Sequence, residues 1–325
     1  FRSNLSDNMS DEADIYVLAG VTAAGKTEAS LAWAERGGVE ILSCDSLLFY
    51  RGMDIGTAKP TPEELSRAPH HGIDLVPVSQ TFDIGSYLAY AKRVVHEIIE
   101  RGNRVLVVGG SGFYLQSFFA SVIDEVAVPP DLRSQVMDWE EKEGLKGLIG
   151  RLRELNPNGL GELDTENPRR VTRALERCLA SGKDLLTLQQ NFQTKDFPFR
   201  DFSKITWVLD RDDADLEERV RARTSSMWAN GLLEEVKALR EKGLGSNPSA
   251  ARSVGYREAL LHLDGNYTSA ECQEAVFLAT MRLARKQRKW FRSRLPADRT
   301  VLLPKTAITS KLEAPWEALS DCERA

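Results

Sequence analysis

A glycine-rich segment near the start of the chain has the residue types that hold a phosphate. It reads GVTAAGKT after the apolar run 15–18, which matches the pattern G-x-x-x-x-G-K-[ST] following a strand. In such a loop the backbone N–H groups turn toward the ligand, the lysine supplies a cation and the Thr27 hydroxyl is offered to Mg²⁺. The helix predicted next directs its positive end at the same anion. The predicted diphosphate-binding residues are Gly20, Val21, Thr22, Ala23, Ala24, Gly25, Lys26 and Thr27.

A carboxylate, Asp45, and a hydroxyl, Ser46, follow the second predicted strand, 39–44. In an open α/β sheet ligands bind at the carboxyl ends of the strands, so this aspartate is expected beside the phosphate loop. It can bind Mg²⁺, accept a proton or cap the next turn, and the residue types leave these three roles open. The polar segment 50–60 that follows is too long for a simple connection, which predicts that it binds a ligand.

The third predicted strand ends in Gly109 and Gly110, followed by Ser111, where an ATPase places an acid that holds Mg²⁺ through water. Asp210, at the end of the strand predicted over 205–209, is a substitute for that acid or an ordinary turn residue. The missing acid argues against ATP or GTP hydrolysis. A P-loop kinase that binds ATP and phosphorylates a nucleotide or small metabolite remains the alternative function.

Basic side chains recur at helical spacing in the middle of the chain. Arg169, Arg173 and Arg177 are each four residues apart, and Arg170 is adjacent, so they form a strip suited to the phosphates of a nucleic acid. Weak surface pairing with nearby glutamates is the alternative for this strip.

Two more basic groups of residues lie toward the carboxyl end. Arg219 and Arg223 are one helical turn apart and, with Lys26, are placed to hold a leaving diphosphate. No acid occurs between Glu274 and Asp298, and the basic residues there alternate with aromatic ones, which suits a nucleic-acid backbone or a solvated helix face.

The order of the patterns predicts the architecture. Short apolar runs at 15–18, 40–43, 104–108 and 205–209 alternate with helical periodicity, which indicates a parallel sheet. The strand signal is absent from 121–200, whereas 216–240 and 270–295 have long helical patterns. We predict an α/β fold, with a P-loop NTPase-like parallel sheet core in 13–120 and 201–304 and a helical insertion domain at 121–200. A flexible leader at 1–12 and a polar tail at 305–325 complete the chain.

The composition limits the class of protein. The 325 residues are 42% hydrophobic with a net charge of −5, which is typical of a globular protein. Four isolated cysteines (Cys44, Cys178, Cys272 and Cys322) argue against a zinc site or a disulfide framework. The apolar runs are shorter than the roughly 20 residues of a membrane span, and the start has no targeting pattern. We expect a soluble, cytoplasmic monomer without membrane contacts.

Taken together, these motifs resemble the tRNA dimethylallyltransferase (tRNA isopentenyltransferase) family of bacterial type, over about 15–294. The match includes the phosphate loop, the segment from Asp45 through 50–60 and the glycine-rich segment 109–114. It also includes NPRR at 167–170, the pair Arg219 and Arg223, VGYR at 254–257, and the segment 286–292 that contains KQ and WFR.

The resemblance implies transfer of a dimethylallyl group from dimethylallyl diphosphate to N6 of the tRNA adenosine immediately 3′ of the anticodon. It implies that Asp45 is the general base, that Thr22 contacts the bridging oxygen of the diphosphate and that Arg223 and Lys26 neutralise the departing charge. Thr27 is the implied Mg²⁺ ligand. The implied tRNA-binding residues are Asp45, Ser46, Leu47, Leu48, Ser111, Arg133, Arg169, Arg170, Val171, Thr172 and Arg173.

The sequence departs from the family pattern at a few positions. Leu48 stands where many members have glutamine, and Val21 stands where proline is usual; Ser111 and Lys289 occupy positions where threonine is common. None of these changes removes an implied catalytic group. Leu48 lacks the side-chain hydrogen bond to the target base that glutamine offers.

Overall fold

The computed structural model describes residues 13–124 and 126–317. The predicted leader at 1–12 and the last residues of the predicted tail, 318–325, lie outside this range. The strands are β1 (Ile15–Gly20), β2 (Val39–Ser43), β3 (Tyr50–Arg51), β4 (His70–His71), β5 (Val76–Pro77), β6 (Arg104–Gly109), β7 (Lys204–Arg211) and β8 (Arg299–Leu303). The helices are α1 (Lys26–Glu35), α2 (Pro62–Arg67), α3 (Ile84–Glu100), α4 (Gly112–Gln116), α5 (Pro130–Glu154), α6 (Pro168–Ser181), α7 (Leu185–Gln193), α8 (Asp213–Ala229), α9 (Leu232–Glu241), α10 (Pro248–Ala251), α11 (Tyr256–Leu263) and α12 (Ser269–Arg294).

A parallel sheet forms the centre of the larger structural unit. Within the described residues its strand order is β4-β2-β6-β1-β7-β8, and each neighbouring pair is parallel. Every residue of β1 is buried, because helices cover both faces of a parallel sheet and leave no side for polar residues. The carboxyl ends of β1, β2 and β6 therefore come together at one edge, where the predicted site residues follow them. The α/β fold with a P-loop NTPase-like parallel sheet is confirmed.

A second compact unit spans Ala120–Phe197 and contains α5, α6 and α7. Its own core includes Val136, Leu148, Val171 and Leu175. Helix α5 is interrupted at Gly144, whose φ of +64° favours glycine. We find no strand among the described residues of this unit, whose boundaries differ by a few residues from the predicted 121–200.

Three features differ from the sequence-based expectations. The segment 216–240, expected as one helical pattern, is divided into α8 and α9 at Gly231, whose φ of +92° interrupts the helix. Strand β8 was not predicted; it is a short edge strand with mostly exposed residues, so its apolar pattern is weak. The C-terminal segment, described up to residue 317, packs on the core instead of forming a tail. Within it, the Leu312 carbonyl accepts a hydrogen bond from the Trp33 indole N–H at 2.8 Å.

The aromatic contacts explain why this C-terminal segment packs on the core. Trp316 lies edge-on to Tyr16 with ring centroids 4.9 Å apart, and Ala314 is fully buried. The segment is mostly polar in composition, which predicted a solvated tail. A few apolar and aromatic residues within it make the contacts that hold it on the core. No helix in the described part of the chain is long and apolar enough to cross a membrane.

Candidate active site

The segment after β1 has the shape of a phosphate-binding loop. Ala23 and Gly25 have positive φ values of 67° and 103°, and Gly25 precedes the first residue of α1. Positive φ at these positions turns successive backbone N–H groups to one side. Within the loop, the side chains of Val21 and Ala24 are buried. Thr22, Ala23, Lys26 and Thr27 line a cavity.

Two arginines hold the outer carbonyls of this loop. Arg219 donates to the Ala23 carbonyl at 2.8 Å, and Arg211 donates to the Ala24 carbonyl at 3.0 Å. Arg211 is 1% exposed and also binds Asp215 at 2.7 Å. These two bonds hold the backbone of the loop in place at Ala23 and Ala24. Arg219 was predicted to contact the diphosphate. The structure gives it a further role, which is to hold the backbone of the phosphate loop.

Burial and neighbouring charges shift the pKa values of the two cations in the cavity. Burial lowers the pKa of Lys26 from 10.5 to about 8, while nearby Asp45 opposes this shift and Arg223 adds to it. Burial also lowers the pKa of Arg223, against the influence of Asp45. Two partly buried cations near one carboxylate leave a net positive charge, which suits a bound diphosphate.

Hydrogen bonds place these two cations over the loop and the segment facing it. The Lys26 ammonium donates to the carbonyls of Gly20 and Val21, both at 3.0 Å. The Arg223 guanidinium donates to the Thr57 carbonyl at 3.0 Å. Phosphate oxygens are stronger acceptors for such cations than neutral carbonyls. The side chains are thus already at the cavity and have partners that a ligand can replace.

Asp45 lies at the carboxyl end of β2 and lines the same cavity. Its Oδ1 accepts the Leu47 N–H at 3.1 Å, so it caps the following turn. Oδ2 makes no hydrogen bond with any other described residue. One carboxylate oxygen therefore fixes the side chain and leaves the other for a reaction partner.

Glycines at the end of β6 are explained by crowding. A Cβ at Gly109 would lie 2.1 Å from the Cys44 carbonyl oxygen, so no side chain, acidic or otherwise, fits there. Asp210, the candidate substitute acid, instead forms an ion pair with Arg288 through two hydrogen bonds of 2.7 and 2.9 Å. The suggestion that Asp210 replaces the metal-binding acid is not supported, because both of its oxygens are occupied.

The segment 50–60 is held in place by a carboxylate. Glu235 accepts the N–H groups of Asp54, Ile55 and Gly56 at 3.0, 2.7 and 3.2 Å. Tyr256 donates its hydroxyl to the same carboxylate at 2.6 Å. These bonds fix the backbone that follows, and Thr57, Ala58 and Pro60 then line the cavity.

Two cavities of the larger unit meet at the predicted catalytic residues. The small cavity, of about 110 Å³, is lined by phosphate-loop residues and by apolar side chains that include Ile41, Leu48, Ile73 and Val108. The large cavity, of about 530 Å³, has a mainly apolar lining that also includes polar side chains. Residues that line both cavities are Thr22, Asp45, Thr57 and Arg223.

Several predicted tRNA contacts lie in or beside the large cavity. Ser46, Leu47 and Ser111 line it, and Ser46 N–H donates to the Ser111 hydroxyl at 3.3 Å. Leu48 instead lines the small cavity. Phe113, half exposed, is at the edge of the large cavity.

The remaining predicted tRNA contacts belong to the second unit. Arg133, Arg169, Arg170 and Arg173 are exposed, and Arg173 pairs with Glu176 at 3.0 Å. Arg177 pairs with Asp124, and the Thr172 hydroxyl donates to the Pro168 carbonyl at 2.9 Å. Val171 is fully buried in the core of this unit, so its side chain is not available to a ligand. The alternative of intramolecular pairing therefore applies to part of the basic strip.

Sequence reasoning gave no site role to much of the large cavity. Its lining includes the segment 249–255, with Arg252, and the side of α12 that carries Gln287 and Trp290. Some of these residues belong to the motifs VGYR and KQ quoted above. The two motifs are far apart in the sequence, so the sequence alone does not indicate that they line one cavity. The described residues contain no group of three or more His, Cys, Asp or Glu side chains that could hold a metal ion.

Known proteins resemble this chain in sequence and in fold. The family model described as IPP transferase matches residues 48–294. A tRNA dimethylallyltransferase of Opitutus terrae is 51% identical over 291 residues, which cover 90% of this chain and 94% of that protein. The crystal structure of the tRNA isopentenylpyrophosphate transferase of Bacillus halodurans is 28% identical, with a TM-score of 0.65, and the match covers 96% of this chain and 95% of that one.

A more distant structure shares the fold. It is a eukaryotic dimethylallyltransferase acting on tRNA, 23% identical, with a TM-score of 0.76 over 96% of this chain and 78% of that one.

Proposed function

The chain belongs to the IPP transferase family of tRNA dimethylallyltransferases, and from this membership and the site geometry we propose its reaction in full. It is a prenyltransferase that transfers a dimethylallyl group from dimethylallyl diphosphate to N6 of the adenosine immediately 3′ of the anticodon and releases diphosphate. The observation that carries this proposal is that Asp45 lines both the cavity of the phosphate loop and the large cavity.

The donor is proposed to bind with its diphosphate on the phosphate loop. The backbone N–H groups of the loop, Lys26 and Arg223 provide positive partners on that side. The large cavity is proposed to admit the adenine, because a base in an anticodon loop must be extruded before it can reach an enclosed diphosphate. The two substrates thus meet at the residues that line both cavities.

The transfer step balances with the groups at hand. The adenine N6 forms a bond to the first carbon of the dimethylallyl group, while the bond from that carbon to the diphosphate oxygen breaks. The electron pair goes to the leaving diphosphate, where Lys26 and Arg223 stabilise the added charge. The N6 proton goes to the free oxygen of Asp45, which matters because the amine lone pair is delocalised into the ring. Thr22 is proposed to donate its hydroxyl to the bridging oxygen.

A magnesium ion fits this site as a partner of the diphosphate. Thr27 lines the small cavity, and Mg²⁺ in phosphate sites is typically held by one or two protein ligands, water and the phosphates themselves. Bound there, the ion would add positive charge on the diphosphate oxygens. Thr27 is the residue that would hold it.

We expect donor binding to weaken at alkaline pH. Because the pKa of Lys26 is lowered to about 8, its charge is lost as pH rises through this value in the free protein. Bound diphosphate favours the ammonium, so affinity should fall by up to about tenfold per pH unit above pH 8. Calorimetric titration with inorganic diphosphate and Mg²⁺ from pH 6.5 to 9.5, on wild type and Lys26→Ala, measures this effect. Parallel pH curves for the two proteins would argue against it.

The tRNA contact of the second unit is proposed to involve Arg169 and Arg170, which are exposed on the first turn of α6. Replacing both with alanine should weaken tRNA binding and reduce the slope of log affinity against log salt by about 1 to 2, since each lost phosphate contact releases fewer counterions. Binding assays at several salt concentrations measure the slope. Arg93→Ala, which breaks an exposed pair with Glu97, is the control; an equal slope in all three proteins would contradict the proposal.

The kinase alternative loses its candidate metal-binding acid, since Asp210 is paired with Arg288. One experiment separates the two activities. The protein is incubated with Mg²⁺ and unmodified tRNA, with either dimethylallyl diphosphate or ATP plus candidate nucleotide and metabolite acceptors. The digested tRNA nucleosides are analysed by mass spectrometry, and consumption of ATP is measured in parallel. We expect one added C5H8 unit on the adenosine 3′ of the anticodon with the prenyl donor and no change with ATP. Unmodified tRNA with an active donor preparation would refute the function. The cytoplasm, where bacterial tRNA occurs, is the proposed location, and a monomer is the proposed state.

A further inference from the structure

Gln287 of α12 connects two of the strand ends that form the site. Its Oε1 accepts the Thr22 N–H at 2.9 Å and lies 3.1 Å from the Thr22 hydroxyl oxygen. Its Nε2 donates to the Gly110 carbonyl at 3.0 Å. The Gln287 amide therefore spans from the phosphate loop after β1 to the end of β6.

The chemistry of these partners fixes the orientation of the amide. A backbone N–H can only donate, so the oxygen of Gln287 must face Thr22, and a carbonyl can only accept, so the nitrogen must face Gly110. Since Oε1 has no hydrogen to give, the Thr22 hydroxyl must be the donor in the 3.1 Å contact. The direction of every bond in this cluster follows without an arbitrary choice.

The close approach of Gln287 also accounts for the residue beside it. A Cβ at Gly110 would lie 2.8 Å from Nε2 of Gln287, which is closer than real side chains allow. A side chain at position 110 would push the amide of Gln287 from its present place. The lack of a side chain at Gly110 thus leaves room for this contact.

We propose that Gln287 is a positioning residue for transfer, which holds Thr22 with its hydroxyl ready to turn toward the bridging oxygen of the donor. This inference rests on the function proposed above. The Thr22 N–H is bound to Gln287, so the backbone stays fixed while the hydroxyl hydrogen is free to rotate about its C–O bond. In the free protein Gln287 accepts that hydrogen; with donor bound, the bridging oxygen accepts it as charge develops there.

The hydrogen bond from the Thr22 hydroxyl to the bridging oxygen should affect the rate of prenyl transfer because of where Thr22 lies. Thr22 lines both cavities and thus lies where the bond to the leaving oxygen breaks. A hydroxyl aimed at a developing negative charge contributes far more in the transition state than in the ground state. Loss of its support should therefore lower kcat and leave donor binding, which depends on Lys26 and the loop N–H groups, nearly unchanged.

A double-mutant cycle tests the proposal. The variants are Thr22→Val, which keeps the shape and removes the hydroxyl, Gln287→Met, which keeps the length and removes all three hydrogen bonds, and the combination. We expect kcat for tRNA prenylation to fall by about 10²-fold in Thr22→Val and by about 10- to 10²-fold in Gln287→Met. If Gln287 acts through Thr22, the double variant should be within about threefold of the slower single variant. KM for dimethylallyl diphosphate should change by less than about threefold.

The outcomes distinguish failure of the role proposed for Gln287 from failure of the proposed function. Transfer by wild type with multiplicative losses in the double variant, or a Gln287→Met variant as fast as wild type, overturns the inference alone. No transfer by wild type overturns the proposed function and the inference with it. If Gln287→Met fails to fold, Gln287→Leu, which also removes the hydrogen bonds to Thr22 and Gly110 without adding a charge, replaces it in the cycle. Gln273, which is half-buried on the second turn of the same helix, provides the control: Gln273→Met should retain wild-type kcat.

Discussion

Asp45→Asn is expected to lower kcat for tRNA prenylation by about 10²- to 10⁴-fold, the range for loss of a general base. Asparagine has the same shape, and its side-chain oxygen can still accept the Leu47 N–H that fixes residue 45 in the free protein. What it cannot do is accept the proton from adenine N6. Single-turnover rates at saturating donor and tRNA measure the loss, and tRNA affinity should change by less than about threefold.

A control for this variant lies on the neighbouring loop. Asp74 is an exposed carboxylate that pairs with Lys59, and its φ of 55° is one that asparagine also tolerates. Asp74→Asn should therefore retain wild-type kcat. Recovery of Asp45→Asn by raised Mg²⁺ concentration would instead assign Asp45 to the metal, and an unchanged kcat would remove it from the mechanism.

Arg211→Met is expected to destabilise the larger unit by about 3 to 5 kcal/mol, the cost of leaving a buried charge without its partner. Arg211 is 1% exposed and pairs with Asp215, whose side chain is 5% exposed. It also bonds the Ala24 carbonyl and the Thr309 hydroxyl, so it links the phosphate loop to the C-terminal segment. Urea unfolding followed by tryptophan fluorescence measures the loss of stability. Titration with diphosphate measures the effect on the phosphate loop that Arg211 holds.

Two further variants separate the charge from the packing. Arg211→Met combined with Asp215→Leu removes both charges and should recover most of the lost free energy of unfolding. Arg221→Met breaks exposed pairs with Glu217 and Glu274, and it should cost no more than about 1 kcal/mol. If Arg211→Met were as mild as Arg221→Met, the link between loop and C-terminal segment would carry little of the stability.

The strands and the phosphate loop were predictable because local sequence determines them. The apolar runs predicted β1, β2, β6 and β7, and the spacing of Gly25, Lys26 and Thr27 predicted the loop between β1 and α1. The edge strand β8 was missed because its residues are mostly exposed. The packing of 305–317 was missed because it depends on contacts between residues far apart in the sequence, such as that of Trp316 with Tyr16.

The candidate site was less predictable than the fold. Asp45 and Lys26 could be named because each follows a strand that ends at the ligand edge of the sheet. Gln287 could not be given a role from sequence, because its contacts to Thr22 and Gly110 depend on how α12 packs. Val171 was included by its place in a motif, and only the packing of the second unit reveals that its side chain is buried.

The central claim is that Asp45 stands between a donor on the phosphate loop and an adenine in the large cavity. A crystal structure of the protein with an unreactive thio analogue of dimethylallyl diphosphate and an anticodon stem-loop measures this directly. We predict the adenine N6 within hydrogen-bond distance, about 3 Å, of an Asp45 carboxylate oxygen, with the diphosphate bound by the loop N–H groups and Lys26. An adenine bound elsewhere, or a diphosphate away from the loop, would contradict the account.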